Sequence, residues 1–157
     1  MVRRRRGYHG RVHRTEHAIR IAADPQAVFD VIVDWRRVDE YFVGIRHVRP
    51  LDHREHGVGS TFDVELHVGP LRQRGRIEVT EHDPPRGWRW RTTKGPSQDG
   101  WWTIAAVGRG SEVRLGNEFH YSLRHGGRPA EAIAVRLVDR TIKQTLANLK
   151  RLVEEGR

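Results

Sequence analysis

Residues 129–155 read PAEAIAVRLVDRTIKQTLANLKRLVEE, and their spacing decides the fold. Ala130, Ile133, Ala134, Leu137, Val138, Ile142, Leu146, Leu149, Leu152 and Val153 recur at intervals of three and four. That period draws one apolar stripe along a helix. Gly126 and Gly127 precede it, and Pro129 suits a first turn, where no amide donor is lost. Asp139 and Lys143 form an (i, i+4) pair off the stripe. At 1.5 Å per residue the helix is roughly 40 Å long. Alone it would leave the stripe wet, so a broad apolar surface elsewhere in the chain must cover it. Thr141 and Thr145 fall inside the apolar arc, one turn apart. Either each hydroxyl bonds a carbonyl of its own helix, or this part of the stripe faces a cavity that admits polar ligand atoms.

The covering surface lies upstream. From Ile45 onward short alternating segments are separated by Gly/Pro punctuation, the mark of an antiparallel sheet. The pattern predicts strands near 45–53, 60–68, 71–82, 88–94, 100–107 and 112–123. A two-residue loop at Gly69-Pro70 sets Glu65 opposite Arg74 and Asp63 opposite Arg76, which supports that register. A turn at Arg109-Gly110 sets Ala106 opposite Val113, Ile104 opposite Leu115 and Trp102 opposite Asn117. Both hairpins then have one apolar and one charged face. The apolar face is bulky: Trp88, Trp90, Trp102, Phe119 and Tyr121 join Val64, Leu66 and other aliphatics. Such aromatics either close on themselves or enclose a pocket.

Before the sheet, His17 to Ala22 alternates as a first strand. Asp24-Pro25 opens a helix with Val28, Phe29, Ile32 and Val33 on one side. Asp34 stops it and caps a shorter helix running to about Tyr41. The expected fold is α+β. A seven-stranded curved antiparallel sheet wraps a long C-terminal helix, with two short helices after strand 1.

The length of 157 residues suits one domain, expected over residues 15–157. No run of about 18 apolar residues is present to span a membrane. The N-terminal arginines lack the apolar segment of a secretory signal. The chain has no cysteine, which excludes disulfides and thiolate metal sites and permits the cytoplasmic location expected here. The net charge is +9, and residues 1–14 hold six arginines and no acid. The remaining chain carries 23 basic and 20 acidic residues. The basic character is thus mostly a tail over residues 1–14, read as a mobile, solvated extension, and nucleic acid is not the expected partner.

The order of pieces resembles the START-like, helix-grip (SRPBCC) superfamily, in its bacterial polyketide cyclase/dehydrase and lipid-transport branch. The resemblance starts at Ile19-Arg20-Ile21-Ala22-Ala23-Asp24-Pro25-Gln26-Ala27-Val28-Phe29. It runs through Tyr41-Phe42-Val43-Gly44-Ile45, Gly57-Val58-Gly59-Ser60-Thr61-Phe62 and Val79-Thr80-Glu81-His82-Asp83-Pro84-Pro85-Arg86. It ends with Trp102, Gly108-Arg109-Gly110-Ser111-Glu112-Val113 and the last helix, covering roughly residues 17–155. Family members often carry Trp-Trp-Pro or Trp-Phe-Pro where this chain has Tyr41-Phe42-Val43. The resemblance implies a hydrophobic small molecule, of polyketide, lipid or isoprenoid class, bound between sheet and helix. Some members cyclise or dehydrate polyketides and others only carry ligands, and fold does not choose between them.

The candidate ligand-binding residues are Asn117, Trp102, Tyr121, Trp90, Trp88, Phe119, Leu66, Val64, Thr141, Thr145 and Tyr41. Asn117 alternates onto the apolar face, where a buried amide needs partners. It either fixes a ligand carbonyl or hydroxyl beside a stacking Trp102, or bonds backbone or trapped water. Tyr121 is either a ligand donor or acid, or a strand-end Tyr with its hydroxyl in water. A cyclase needs a placed acid or base. No inward Asp, Glu, Lys or His stands out, so no catalytic residue is assigned. His53 and His56, beside Asp52 and Glu55, read as solvated loop histidines rather than metal ligands. His67 and His120 alternate outward. No metal and no cofactor are expected. Arg72, Arg74, Arg76, Arg89 and Arg91 line the outer face. They form either a docking patch for an acidic partner, such as an acyl carrier protein or anionic lipid, or a solvated surface. The competing function is therefore an interaction module using the basic face and tail, with a filled core. A closed space well under about 300 Å³ would favour it. Oligomeric state is not legible.

Overall fold

A computed structural model describes residues 10–122 and 127–156 of the chain. The strands are β1 (Gly10–Ile21), β2 (Ile45–Pro50), β3 (Thr61–Val68), β4 (Leu71–Asp83), β5 (Gly87–Lys94), β6 (Gln98–Val107) and β7 (Gly110–Ser122). Between β1 and β2 lie α1 (Pro25–Val33), a 3-10 turn (Trp35–Arg37) and α2 (Val38–Tyr41), and α3 (Gly127–Glu155) closes the chain. The strands form one antiparallel sheet in the order β1-β7-β6-β5-β4-β3-β2.

Local chemistry places the short helices. Pro25 opens α1, and the Asp24 carboxylate accepts from the Ala27 amide at 3.0 Å. The Asp34 carboxylate accepts from the Arg36 amide at 3.1 Å and so starts the next turn. The Gly69-Pro70 hairpin has the expected register, with Glu65 opposite Arg74 and Asp63 opposite Arg76. The last hairpin differs by two residues: Ala106 faces Ser111, Ile104 faces Val113, Trp102 faces Leu115 and Gly100 faces Asn117. Gly108, at φ +57°, takes the first position of the two-residue turn, a conformation glycine adopts without strain. A two-residue slip keeps every side chain on its expected face.

The core is the expected grip. Ile142, Leu146 and Leu149 of α3 pack with Ile21, Val28, Phe29, Ile32, Trp102, Ile104, Val113 and Leu115. The stripe is not uniformly buried. Ile133 is 60% exposed, while Glu131, not expected in the core, is 4% exposed. Leu137 and Val138 are only half-buried.

The first strand begins at Gly10 rather than His17, so residues 10–14, read above as tail, belong to the sheet. Residues 1–9 lie outside the described residues. β1 is a sheet edge, and α3 runs along it. His13 Nε2 meets Glu131 Oε1 at 2.6 Å, and His17 pairs with Asp139. Lys150 Nζ donates to the Arg20 carbonyl at 2.8 Å, and the Ala22 amide donates to Glu154 Oε1 at 2.8 Å. These contacts tie α3 to β1 along the length of the strand. The sequence hid this because the polar partners lie off the apolar stripe.

Two outcomes follow. Deleting residues 1–14 should lower the melting temperature by more than about 4 °C, about 1 kcal/mol or more for a domain of this size. Deleting residues 1–9 keeps β1 whole and serves as the comparison; equal melting of the two forms would contradict the β1–α3 contact. Leu149→Ala, at a fully buried position, should cost about 2–5 kcal/mol in denaturant melts. Leu137→Ala, beside open space, should cost clearly less.

Candidate functional site

Two adjoining spaces lie between the sheet and the helices. The first, about 110 Å³, is walled by Trp35, Tyr41, Phe62, Val64, Trp88, Trp90 and Trp102, with aliphatics of α1, β2 and β4. The second, about 200 Å³, lies under α3, between Ala134, Leu137, Val138 and Thr141 on the helix and Asn117 and Phe119 on β7. Phe42, Leu66 and Gln98 belong to both walls. Neither space alone reaches the roughly 300 Å³ of ordinary ligand pockets. Their shared wall makes them two lobes of one region.

The aromatics are held by the backbone beneath them. Trp90 lies flat on Gly100: a Cβ there would sit 2.0 Å from its ring. On the opposite face Trp101 lies on Gly116 in the same way, with the same 2.0 Å clearance. Trp101 is the outer tryptophan. Its Nε1 donates to Glu16 Oε2 at 2.6 Å, and Arg14 and Arg89 cover its ring. Trp88 donates to the His56 carbonyl at 3.0 Å and sits 5.5 Å from the Trp90 ring centre. Trp102 meets Tyr41 edge to face at 6.2 Å.

The expected residues divide between the lobes. Tyr41, Val64, Trp88, Trp90 and Trp102 line the first; Asn117, Phe119 and Thr141 line the second; Leu66 borders both. Trp102 and Asn117 therefore share a face but not a lobe. Tyr41 presents only its ring. Its hydroxyl donates to the Ile32 carbonyl at 2.9 Å, and burial pushes its pKa up, so it holds its proton. Thr145 lines neither lobe. It is fully buried, and its hydroxyl accepts from the Val43 amide at 3.1 Å, tying α3 to the chain after α2. The Tyr121 side chain lies outside the described residues.

The histidines are also redistributed. His53 is exposed, as expected, but the His56 ring stacks on His82 at 4.8 Å. Burial, then the neighbouring His56, push the His82 pKa down, which keeps that ring neutral. His67 pairs with Glu65 at 3.2 Å on the outer face. His120, expected outward only, borders the second lobe. Among the described residues no group of three His, Asp or Glu side chains is arranged to hold a metal ion.

Sequence reasoning missed Trp35, Gln73 and Gln98 as lining residues. Gln98 was within reach: the alternation Trp102, Gly100 extends back to it, had β6 been started two residues earlier. Trp35 follows a helix stop signal and carries no period. On the outer face five arginines meet four carboxylates, and the exposed Arg72 is in none of these pairs. Arg76 and Arg49 reach Asp63 at 2.9 and 3.2 Å, Arg91 reaches Glu78 at 3.0 Å, and Arg74 and Arg89 approach Glu65 and Glu81 at 3.8 and 3.9 Å.

The geometry can be set beside known proteins. The Thermus thermophilus protein TTHA0849 superposes with a TM-score of 0.78 at 17% identity, over 93% of this chain and 99% of that one. A START superfamily protein from Mycobacterium smegmatis gives 0.76 at 14% identity, over 92% and 99%. The ZhuI aromatase/cyclase from Streptomyces sp. R1128 gives 0.73 at 18% identity, over 93% and 98%. At these identities the likeness is one of fold, the START-like helix grip. No curated protein sequence matches the chain. The sequence pattern of one family, described as polyketide cyclase/dehydrase and lipid transport, matches residues 12–154. That match spans nearly the whole chain, which therefore belongs to the polyketide cyclase/dehydrase and lipid transport family.

Proposed function

We propose that the protein binds a hydrophobic or aromatic small molecule, of polyketide, lipid or isoprenoid class, across the two lobes, and acts as a carrier or sensor. The observation that carries this reading is the lining itself. Four tryptophans face the first lobe, and among the described residues no Asp, Glu, Lys or Arg lines either lobe. Aromatic walls of this kind suit a flat apolar ligand. A ligand larger than one lobe has to displace the side chains that border both, Phe42, Leu66 and Gln98. The Streptomyces aromatase/cyclase has the same fold, which keeps a cyclase or dehydratase activity in view. Against it, proton transfer needs a group of suitable pKa within hydrogen-bond reach. Among the described residues the lining offers only His120 and the committed Tyr41 hydroxyl. The interaction-module reading is favoured by the size of each lobe taken alone, under the roughly 300 Å³ of ordinary ligand pockets. On the outer face Arg49 and Arg76 share Asp63, and Arg72 is in no ion pair among the described residues, which leaves a modest positive excess. A cytoplasmic site of action remains the expectation, and no described helix is long and apolar enough to cross a membrane.

Native mass spectrometry of protein from its own host should detect a co-purifying small molecule. A paired substitution then tests location. Gly100→Ala drives the Trp90 ring into the first lobe, and probe affinity should fall about tenfold, ~1.4 kcal/mol. Gly116→Ala displaces Trp101 on the outer face with a comparable overpacking cost and should leave affinity unchanged. Equal loss in both variants would place the ligand elsewhere.

A further inference from the structure

We propose that the ligand is electrically neutral and offers a hydrogen-bond donor, most simply a hydroxyl, to Asn117 Oδ1. This deepens the ligand-binding reading and rests on it. Asn117 is 5% exposed and lines the second lobe. Its Oδ1 is shielded from solvent and has no hydrogen-bond partner among the described residues. A carboxamide oxygen only accepts, and a buried acceptor without a donor is costly, so the lobe is built for a donor. The residue opposite on β6 is Gly100, which supplies no side chain to meet it.

The charge of the ligand follows from what is missing around it. Among the described residues neither lobe has a Lys or Arg, and His120, exposed at the border of the second, is the one side chain there able to carry positive charge. A carboxylate or phosphate head deeper in would therefore be buried without a counter-ion. Polar groups gather in one place: Gln73, Gln98, Asn117 and Thr141 border the second lobe, while the first is aromatic and aliphatic apart from Gln98. The arrangement fits an apolar body that reaches from the first lobe past Phe42, Leu66 and Gln98 into the second, with a hydroxyl at Asn117. It does not fit a fatty acid or a phosphorylated isoprenoid.

Three probes with one bicyclic body separate the cases. 2-Naphthol carries a donor, 2-methoxynaphthalene an acceptor only, and 2-naphthoate a charge; at pH 7 the phenol stays protonated. Titration of the intact wild-type chain should give 2-naphthol at least about tenfold tighter binding than 2-methoxynaphthalene, ~1.4 kcal/mol. 2-Naphthoate should bind weakest. Asn117→Leu should abolish the preference and leave the 2-methoxynaphthalene affinity within about twofold. Equal wild-type affinities for the two neutral probes would overturn the proposal while leaving the binding reading intact; a trapped water would then satisfy Asn117. Tightest binding of 2-naphthoate would also overturn it. Failure of all three to bind would overturn both. The wild-type comparison stands even if Asn117→Leu fails to fold.

Discussion

The apolar arc of α3 must be kept from water, and the curved sheet is what keeps it dry. Ile142, Leu146 and Leu149 meet the inner face where Val113, Leu115 and Ile104 pave it. The remaining pieces hold this contact in place. Asn148 Nδ2 donates to the Tyr41 carbonyl at 3.2 Å, and Thr145 accepts from Val43, so the helix also fixes the end of α2. Along the other side, polar side chains lace α3 to β1 from His13 to Ala22. The grip is uneven along the helix. Its C-terminal half is sealed, whereas Ala134, Leu137, Val138 and Thr141 border open space. One continuous stripe thus does two jobs: it closes the core at one end and roofs a cavity at the other.

The sheet is divided just as sharply, across its thickness. Adjacent residues Trp101 and Trp102 point to opposite faces, as strand geometry demands. Trp102 is packed inside the grip, while Trp101 lies outside with two arginines over its ring. In each face a glycine on the sheet allows a tryptophan ring to lie flat, Gly100 beneath Trp90 and Gly116 beneath Trp101. The inner pair shapes the first lobe. The outer pair, with its carboxylate and guanidinium neighbours, turns an apolar ring into part of a charged surface.

Periodicity made most of this fold legible. The 3.6-residue stripe and the alternating strands each have one physical meaning, and the Asp63–Arg76 and Glu65–Arg74 facings set a register that the sheet adopts. The last hairpin slipped because either glycine flanking Arg109 could serve the turn, and only the backbone angle at Gly108 separates them. The start of β1 was hidden because its residues are charged on both faces; their partners, Glu131 and Trp101 among them, lie about 85 to 118 residues away. Within the site, strand parity placed Asn117, Trp90, Trp102 and Phe119 on the inner face. It could not divide them between lobes, and it could not foresee that Tyr41 and Thr145 spend their hydroxyls on backbone groups. Those outcomes depend on tertiary distances that no local pattern carries.

The central claim is that the inner face, and not the outer, receives the ligand, and the tryptophans can report on it directly. Trp35, Trp88, Trp90 and Trp102 border the first lobe, and Trp101 lies on the other side of the sheet. Indole N–H signals in a ¹⁵N-correlated NMR spectrum resolve each ring. Saturation with naphthalene should shift the four inner signals and leave Trp101 in place. A shift confined to Trp101, or no shift at saturation, would contradict the account.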